Sequence, residues 1–230
     1  MILETLAATM LLAGGSKMSD EELGKWLTYY YLKPQPVVAI DNLEALNESF
    51  KRNKGISLAE VAERGGLRSF YAEILNSSPE AVESLESRLP EFSVDIRVFV
   101  NEALRRCVSA ACEKVRGTPY ISIGEPLSVS GLDDHWAAFT ATGGKAHVIV
   151  VIEALPLIEV RGNVDQLMVG GAAKWSLTSN AVQHSRVLTY CREYLEGADE
   201  PVKKILSEVV AEAEAELAKE PSPVPQEAEI

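Results

Sequence analysis

Three histidines, three cysteines and short polar runs set among apolar residues are the groups in this 230-residue sequence that could do chemistry. The densest run is Lys174-Trp175-Ser176-Leu177-Thr178-Ser179-Asn180-Ala181-Val182-Gln183-His184. Ser176, Asn180 and His184 recur every fourth residue, so they share one side of a helix or of a junction between two helices. With Asp133, Trp136 and Trp175 they form the best candidate for a small-ligand pocket, and His184 would be its titratable centre. The competing role is structural: Ser and Asn at helix junctions cap backbone groups. Asp133-Asp134-His135 offers carboxylates beside a base. Acids just after Gly131 also suit the positive end of a helix dipole, which needs no catalysis. No catalytic residue is assigned.

Metal and cofactor chemistry find no support. Asp133, Asp134 and His135 are too few ligands, and adjacent helical residues point apart. Gly143-Gly144-Lys145 lacks the spacing and the Ser/Thr of a phosphate loop, and no G-x-G-x-x-G, G-x-S-x-G or H-E-x-x-H occurs. Gly170-Gly171 fits close contact between elements better than a phosphate cradle. Cys107, Cys112 and Cys191 are odd in number. Cys107 and Cys112 fall on one expected helix about 140° apart, a poor geometry for a bridge, so both are expected as small buried side chains in a reducing cytoplasm. The apolar stretch Leu6 to Ala13 has no Lys or Arg before it and carries Glu4 upstream. It is expected to be a helix ended by Gly14-Gly15, with export as the alternative if residues 1–15 act as an atypical signal.

The elements that must position these residues are helices. Ser19 with Glu22 makes a capping box for a helix through Trp26 and Tyr31, stopped near Pro34-Gln35-Pro36. A second carries Val37, Ile40, Leu43, Leu46 and Phe50. Ser57 opens a segment interrupted at Gly65-Gly66, and Ser78-Pro79 starts a short helix that ends before Pro90. The clearest stripe runs unbroken from Ser93 to Arg116 through Ile96, Phe99, Val100, Ala103, Leu104, Cys107, Val108, Ala111, Cys112 and Val115. Gly117 to Gly131 reads as a loop or hinge. Leu132 to Thr142 is helical. His147 to Ile152 has strand propensity, but a lone strand would lack a partner, so a buried helix is expected. Val164 to Ser179 is a helix, Asn180 starts the next, and a last one spans Asp199 to Lys219. This gives an all-α protein of nine or ten helices, as antiparallel pairs in a solenoid-like array or an irregular helical bundle. The regions are 1–116, the hinge 117–131, 132–219 and a Pro-rich acidic tail, 220–230, expected to be disordered.

Net charge is −12, from 34 acidic and 22 basic side chains, and residues 199–230 carry −6 of it. This excludes general attraction to nucleic acid phosphates. No apolar run reaches the length of a membrane span. The aromatic run Trp26, Tyr29, Tyr30 and Tyr31 covers more than one side of its helix, which makes it a candidate interface. A protein partner, steered by a basic surface toward the acidic C-terminal region, is the function this composition favours. The second reading is a ligand binder or enzyme near Trp136, Trp175 and His184. The third is an acidic chaperone or immunity-type protein that masks a basic partner.

Leu132-Asp133 with Trp136, Phe139, Thr142 and Gly143, then Ala172-Ala173-Lys174-Trp175-Ser176-Leu177 with Ser179-Asn180-Ala181 and His184, together with Tyr29-Tyr30-Tyr31-Leu32-Lys33-Pro34, resemble a family of small bacterial all-helical proteins without assigned activity. The resemblance covers about a third of the chain. It implies a bacterial helical protein, helix over strand for Val148 to Leu155, and no catalytic residues. Some relatives are exported, which supports the alternative for the N-terminus.

Overall fold

The computed structural model describes residues 18–63, 65–118 and 127–219. Among them lie thirteen α-helices and two 3₁₀ turns, and no strand. The helices are α1 Asp20–Thr28, α2 Pro36–Asp41, α3 Leu43–Lys54, α4 Leu58–Glu63, α5 Leu67–Ser77, α6 Pro79–Arg88, α7 Val94–Arg106, α8 Ala110–Arg116, α9 Val129–Thr142, α10 Lys145–Glu153, α11 Val164–Gln183, α12 Ser185–Leu195 and α13 Val202–Lys219. The 3₁₀ turns are Tyr30–Leu32 and Leu155–Glu159. The expected capping box at Ser19 is formed: Glu22 N–H donates to Ser19 Oγ at 3.2 Å, and Ser19 N–H donates to Glu22 at 2.7 Å. Val148, Val151 and Ile152 are fully buried in α10, so the ambiguous apolar run is helix. The N-terminal segment with its possible signal, the core of the Gly117–Gly131 stretch and the Pro-rich tail lie outside the described residues.

The helix count exceeds nine or ten because stripes that read as continuous are broken. The stripe from Val37 to Phe50 divides at Asn42 into α2 and α3. The Ser93–Arg116 stripe turns at Cys107, whose ψ of 126° leaves the helical region. Asn76 Oδ1 holds this turn by accepting from Val108 N–H at 2.7 Å and Ser109 N–H at 3.2 Å. Ser109 then caps α8 by accepting from Cys112 N–H at 3.3 Å. Arg116 donates to the carbonyls of Leu104 and Cys107 at the end of α7. The bend brings the Cα atoms of Cys107 and Cys112 to 6.0 Å, and the two form a disulfide. The expectation of two separate buried thiols fails because it assumed a straight helix. Cys191 is a free, buried thiol.

Buried side chains form two clusters. The first gathers Leu23 to Cys112, around Phe70, Tyr71 and Phe99, and takes Ala141 from α9. The second gathers residues of α9 to α13 around Phe139, Val151, Leu177 and Leu206, and takes Tyr31 from the first turn. Helix α5 packs on α9 and α4 on α7, so helices distant in sequence are neighbours. A solenoid contacts only adjacent repeats, whereas this arrangement is an irregular bundle. Asp134 of α9 pins the two halves together. It accepts from Gly66 N–H at 2.9 Å and Ser69 Oγ at 2.7 Å, and its second oxygen lies 3.3 Å from Arg106 and 3.7 Å from Arg68.

Candidate functional site

The structure divides the six residues of the expected polar pocket: Trp136 and His184 pack against Phe139, whereas Trp175 faces solvent. α11 runs through Asn180 to Gln183, and the break comes at His184, whose ψ of 110° ends the helix. Asn180 therefore does not start a helix; its side-chain amide donates to Ser176 O at 2.9 Å, one turn back. Ser176 is buried and donates to Ala173 O at 3.2 Å. Both side chains are spent on the backbone of their own helix.

His184 is 2% exposed and lies 3.1 Å from the Tyr31 hydroxyl through Nδ1. The rings of Tyr29 and Phe139 each stand 5.4 Å from it, edge-on or tilted. Burial pulls the His184 pKa down to about 4, so the ring is neutral at pH 7. In the tautomer that carries its proton on Nε2, the Tyr31 hydroxyl donates to Nδ1. This is a hydrogen bond inside a core, joining the Tyr30–Leu32 turn to the α11–α12 junction. Trp136 is half-buried and edge-on to Phe139 at 6.1 Å. Asp133 is exposed, and partial burial with the nearby Asp134 raises its pKa. The residue beside it, Asp134, makes the inter-helix contacts. The rings of His135 and His147 lie 5.8 Å apart and tilted by 43°, both lowered in pKa by burial. Among the described residues no group of three His, Cys, Asp or Glu is placed to hold a metal.

The aromatic run also points inward. Tyr30 and Tyr31 are buried, Trp26 and Tyr29 half-buried. Trp26, Tyr30 and Phe70 form an edge-on cluster with centroids 5.1 to 6.0 Å apart. These rings hold the first core and offer little surface to a partner.

Trp175 behaves differently from the rest of its run: it is 73% exposed. Val164 at 69%, Met168 at 57% and Leu167 at 37% extend the same outer side of α11 toward its N-terminus. The inner side carries Val169, Ala173, Leu177 and Ala181, all buried. Helix α11 therefore has two apolar sides, one for the core and one for solvent. Beside Trp175 an open groove of about 720 Å³ runs between Gly171, Trp175 and Val182 of α11 and Glu212, Ala215 and Glu216 of α13. Lys174 spans the base of its rim, 2.7 Å from Glu208 and 3.7 Å from Glu212.

A helix expected over Val164 to Ser179 leaves open which side each of its apolar residues takes. Trp175 and Leu177 stand about 160° apart on a helix and cannot share one. Val164, Met168, Gly171, Trp175 and Val182 fall within about 60° of one another at 100° per residue, which is a second stripe. Gly170 and Gly171 also differ. A Cβ on Gly170 would stand 2.1 Å from Ile158 N, so the Leu155–Glu159 turn packs against bare backbone there. A Cβ on Gly171 would meet nothing within 4 Å.

No helix among the described residues is long and apolar enough to cross a membrane. No family model, no curated protein and no solved structure matches the chain.

Proposed function

We propose that the protein is a helical interaction protein whose docking face is the outer side of α11 with the flank of α13. The carrying observation is Trp175, a large indole 73% exposed beside an open apolar groove. Aromatic side chains in such settings are the usual anchors of protein contacts. Among the described residues nothing packs over the Trp175 indole in a way that requires an apolar side chain there. The pocket reading has weaker support, because His184, Ser176 and Asn180 are consumed by internal hydrogen bonds. The groove is also open along its length, whereas small-ligand sites enclose most of their ligand. The Cys107–Cys112 bridge favours folding in an oxidising compartment, which supports the exported alternative over the cytoplasm.

The test is site-specific photo-cross-linking in the native host, with a benzophenone side chain at position 175 or, as control, at the exposed Val94 of α7. A discrete cross-linked protein from position 175 and none from position 94 is the expected result. Equal yields from both positions, or none from 175, refute the docking face.

A further inference from the structure

Taking the outer side of α11 as a docking face, we propose that its occupant is the same side of a second copy of this chain, laid antiparallel across a two-fold axis. The stripe is complementary to itself. Val164, Met168 and Trp175 stand out as knobs, 69%, 57% and 73% exposed. Gly171 is a notch beside them, since a Cβ there would meet no atom within 4 Å. The pairs Val164–Trp175 and Met168–Gly171 share one midpoint, between Val169 and Gly170. Two antiparallel helices centred on that point bring each Met168 to the height of the partner's Gly171, and each Val164 to the height of the partner's Trp175. A two-fold contact demands this property, because one surface must supply both the knob and the notch.

Charge favours a second copy over a charged partner. Of the 20 residues of α11 only Asp165 and Lys174 are charged, whereas 24% of the whole chain is. Both stand about 90° from the centre of the stripe, one to each side. Interface centres are depleted in charge in this way. On the α13 flank the groove is bordered by Lys174 and Lys219 with Glu212 and Glu216, so this rim has no net sign. Its cations are already held, Lys174 by Glu208 and Glu212 and Lys219 by Glu216. Such a rim neither recruits a charged partner nor repels a copy of itself. Repulsion between two chains of net charge −12 is screened beyond about 8 Å at physiological ionic strength. The size also fits. Helix α11 runs about 30 Å, and with α13 beside it the face is about 20 Å wide, a flat footprint of about 600 Å². Side-chain relief raises the accessible area above that figure, toward the roughly 800 Å² that each partner of a stable dimer buries.

Sedimentation of the full-length oxidised protein reads the state directly. A dimer of the 25.0 kDa chain is expected in the micromolar range. Trp175→Ala should raise its dissociation constant about tenfold or more, and Gly171→Met, which fills the notch, should do the same. Met168 is unbranched and flexible, so a lone methyl at position 171 is accommodated and only a full side chain blocks the contact. Trp175 is largely outside the core and position 171 opens on empty space, so circular dichroism of each variant should match the parent. Val94→Ala, on the exposed side of α7, should leave the dimer unchanged. The register is read by mixing the protein carrying benzophenone at position 175 with isotope-labelled parent. The cross-link is expected on the labelled copy, between residues 161 and 168. Because the contact is apolar, added salt should hold or tighten the dimer. A chain that stays monomeric in this range, a dimer indifferent to Trp175→Ala and Gly171→Met, a cross-link on another helix, or a dimer dissolved by salt overturns the proposal. Should position 175 capture a different protein in the host while the purified chain stays monomeric, the docking face stands and this proposal falls. Neither capture nor dimer removes both.

Discussion

Replacing each of two adjacent glycines by alanine should change stability in opposite directions. At Gly170 the new methyl would stand 2.1 Å from Ile158 N, 2.6 Å from Leu157 C and 2.7 Å from Ile158 Cα. Carbon contacts settle near 3.5–4.0 Å, so the Leu155–Glu159 turn must retreat by about 1 Å or more. The obstacle is backbone, which cannot swing aside as a side chain can. Overpacking costs about 1–3 kcal/mol. A gap of that width also forfeits about a quarter to a half of the dispersion along the seam, where Leu155 is fully buried. Against this stands about 1 kcal/mol of helix propensity gained by removing a glycine. With that lost dispersion the net loss comes to about 1–2 kcal/mol, or roughly 2–8 °C in Tm for a chain of this size. At Gly171 the methyl meets nothing, so only the propensity remains, a gain of up to about 1 kcal/mol or 2–4 °C. Calorimetric melts of the parent and both variants, all oxidised, decide it. Shifts of the same sign, or a Gly170→Ala variant within a degree of the parent, would refute the close approach of the turn to α11.

Three further outcomes follow from the contacts. His184 titrates near 4 in the fold against an ordinary 6.5, so its neutral form is the stable one: the stability it supports is full above pH 6.5 and fades as pH falls toward 4. About 2 kcal/mol should be lost between pH 8 and pH 5, and imidazole NMR titration placing His184 above pH 6 would contradict it; His135 and His147 shift the same way and must be assigned separately. Asp134→Ala strands Gly66 N–H and Ser69 Oγ and leaves Arg68 and Arg106 without their carboxylate, at about 2–4 kcal/mol in urea unfolding, with Asp134→Asn milder. Reducing the Cys107–Cys112 bridge, or replacing both residues by Ala, should cost about 2 kcal/mol by the loop-entropy estimate for so short a loop. The elbow itself should persist in far-UV circular dichroism because Asn76, Ser109 and Arg116 hold it independently.

Local signals in the sequence were faithful where one residue type decides the outcome. Ser19 with Glu22, Ser78 before Pro79 and Gly143 after Thr142 start or end helices as their chemistry requires. The stripe through Cys107 misled, because periodicity is blind to a break that leaves the apolar residues in register. That break is enforced by Asn76, thirty-one residues away, and no window around Cys107 contains it. The polar run before His184 left a pocket and a structural role both open, and its contacts follow the structural one. Ser176 and Asn180 bond to their own helix, a choice that depends on their surroundings rather than on spacing. Trp175 was legible as a singular residue but not as an exposed one, since exposure depends on where α13 lies.

Tyr30 and Tyr31 are neighbours in the chain yet serve different cores. Tyr30 packs on Trp26 and Phe70, Tyr31 on Phe139 and His184. A 3₁₀ turn advances about 120° per residue, and that step alone sends each ring to its own side. Substitution in this turn would trouble one core at a time. Deletion or insertion of a single residue between Tyr29 and Leu32 would rotate both rings out of phase at once. For a homologous chain that shares this architecture, the length of those few residues should therefore be held more strictly than their identities, and an aligned gap there would mark a different way of joining the two halves.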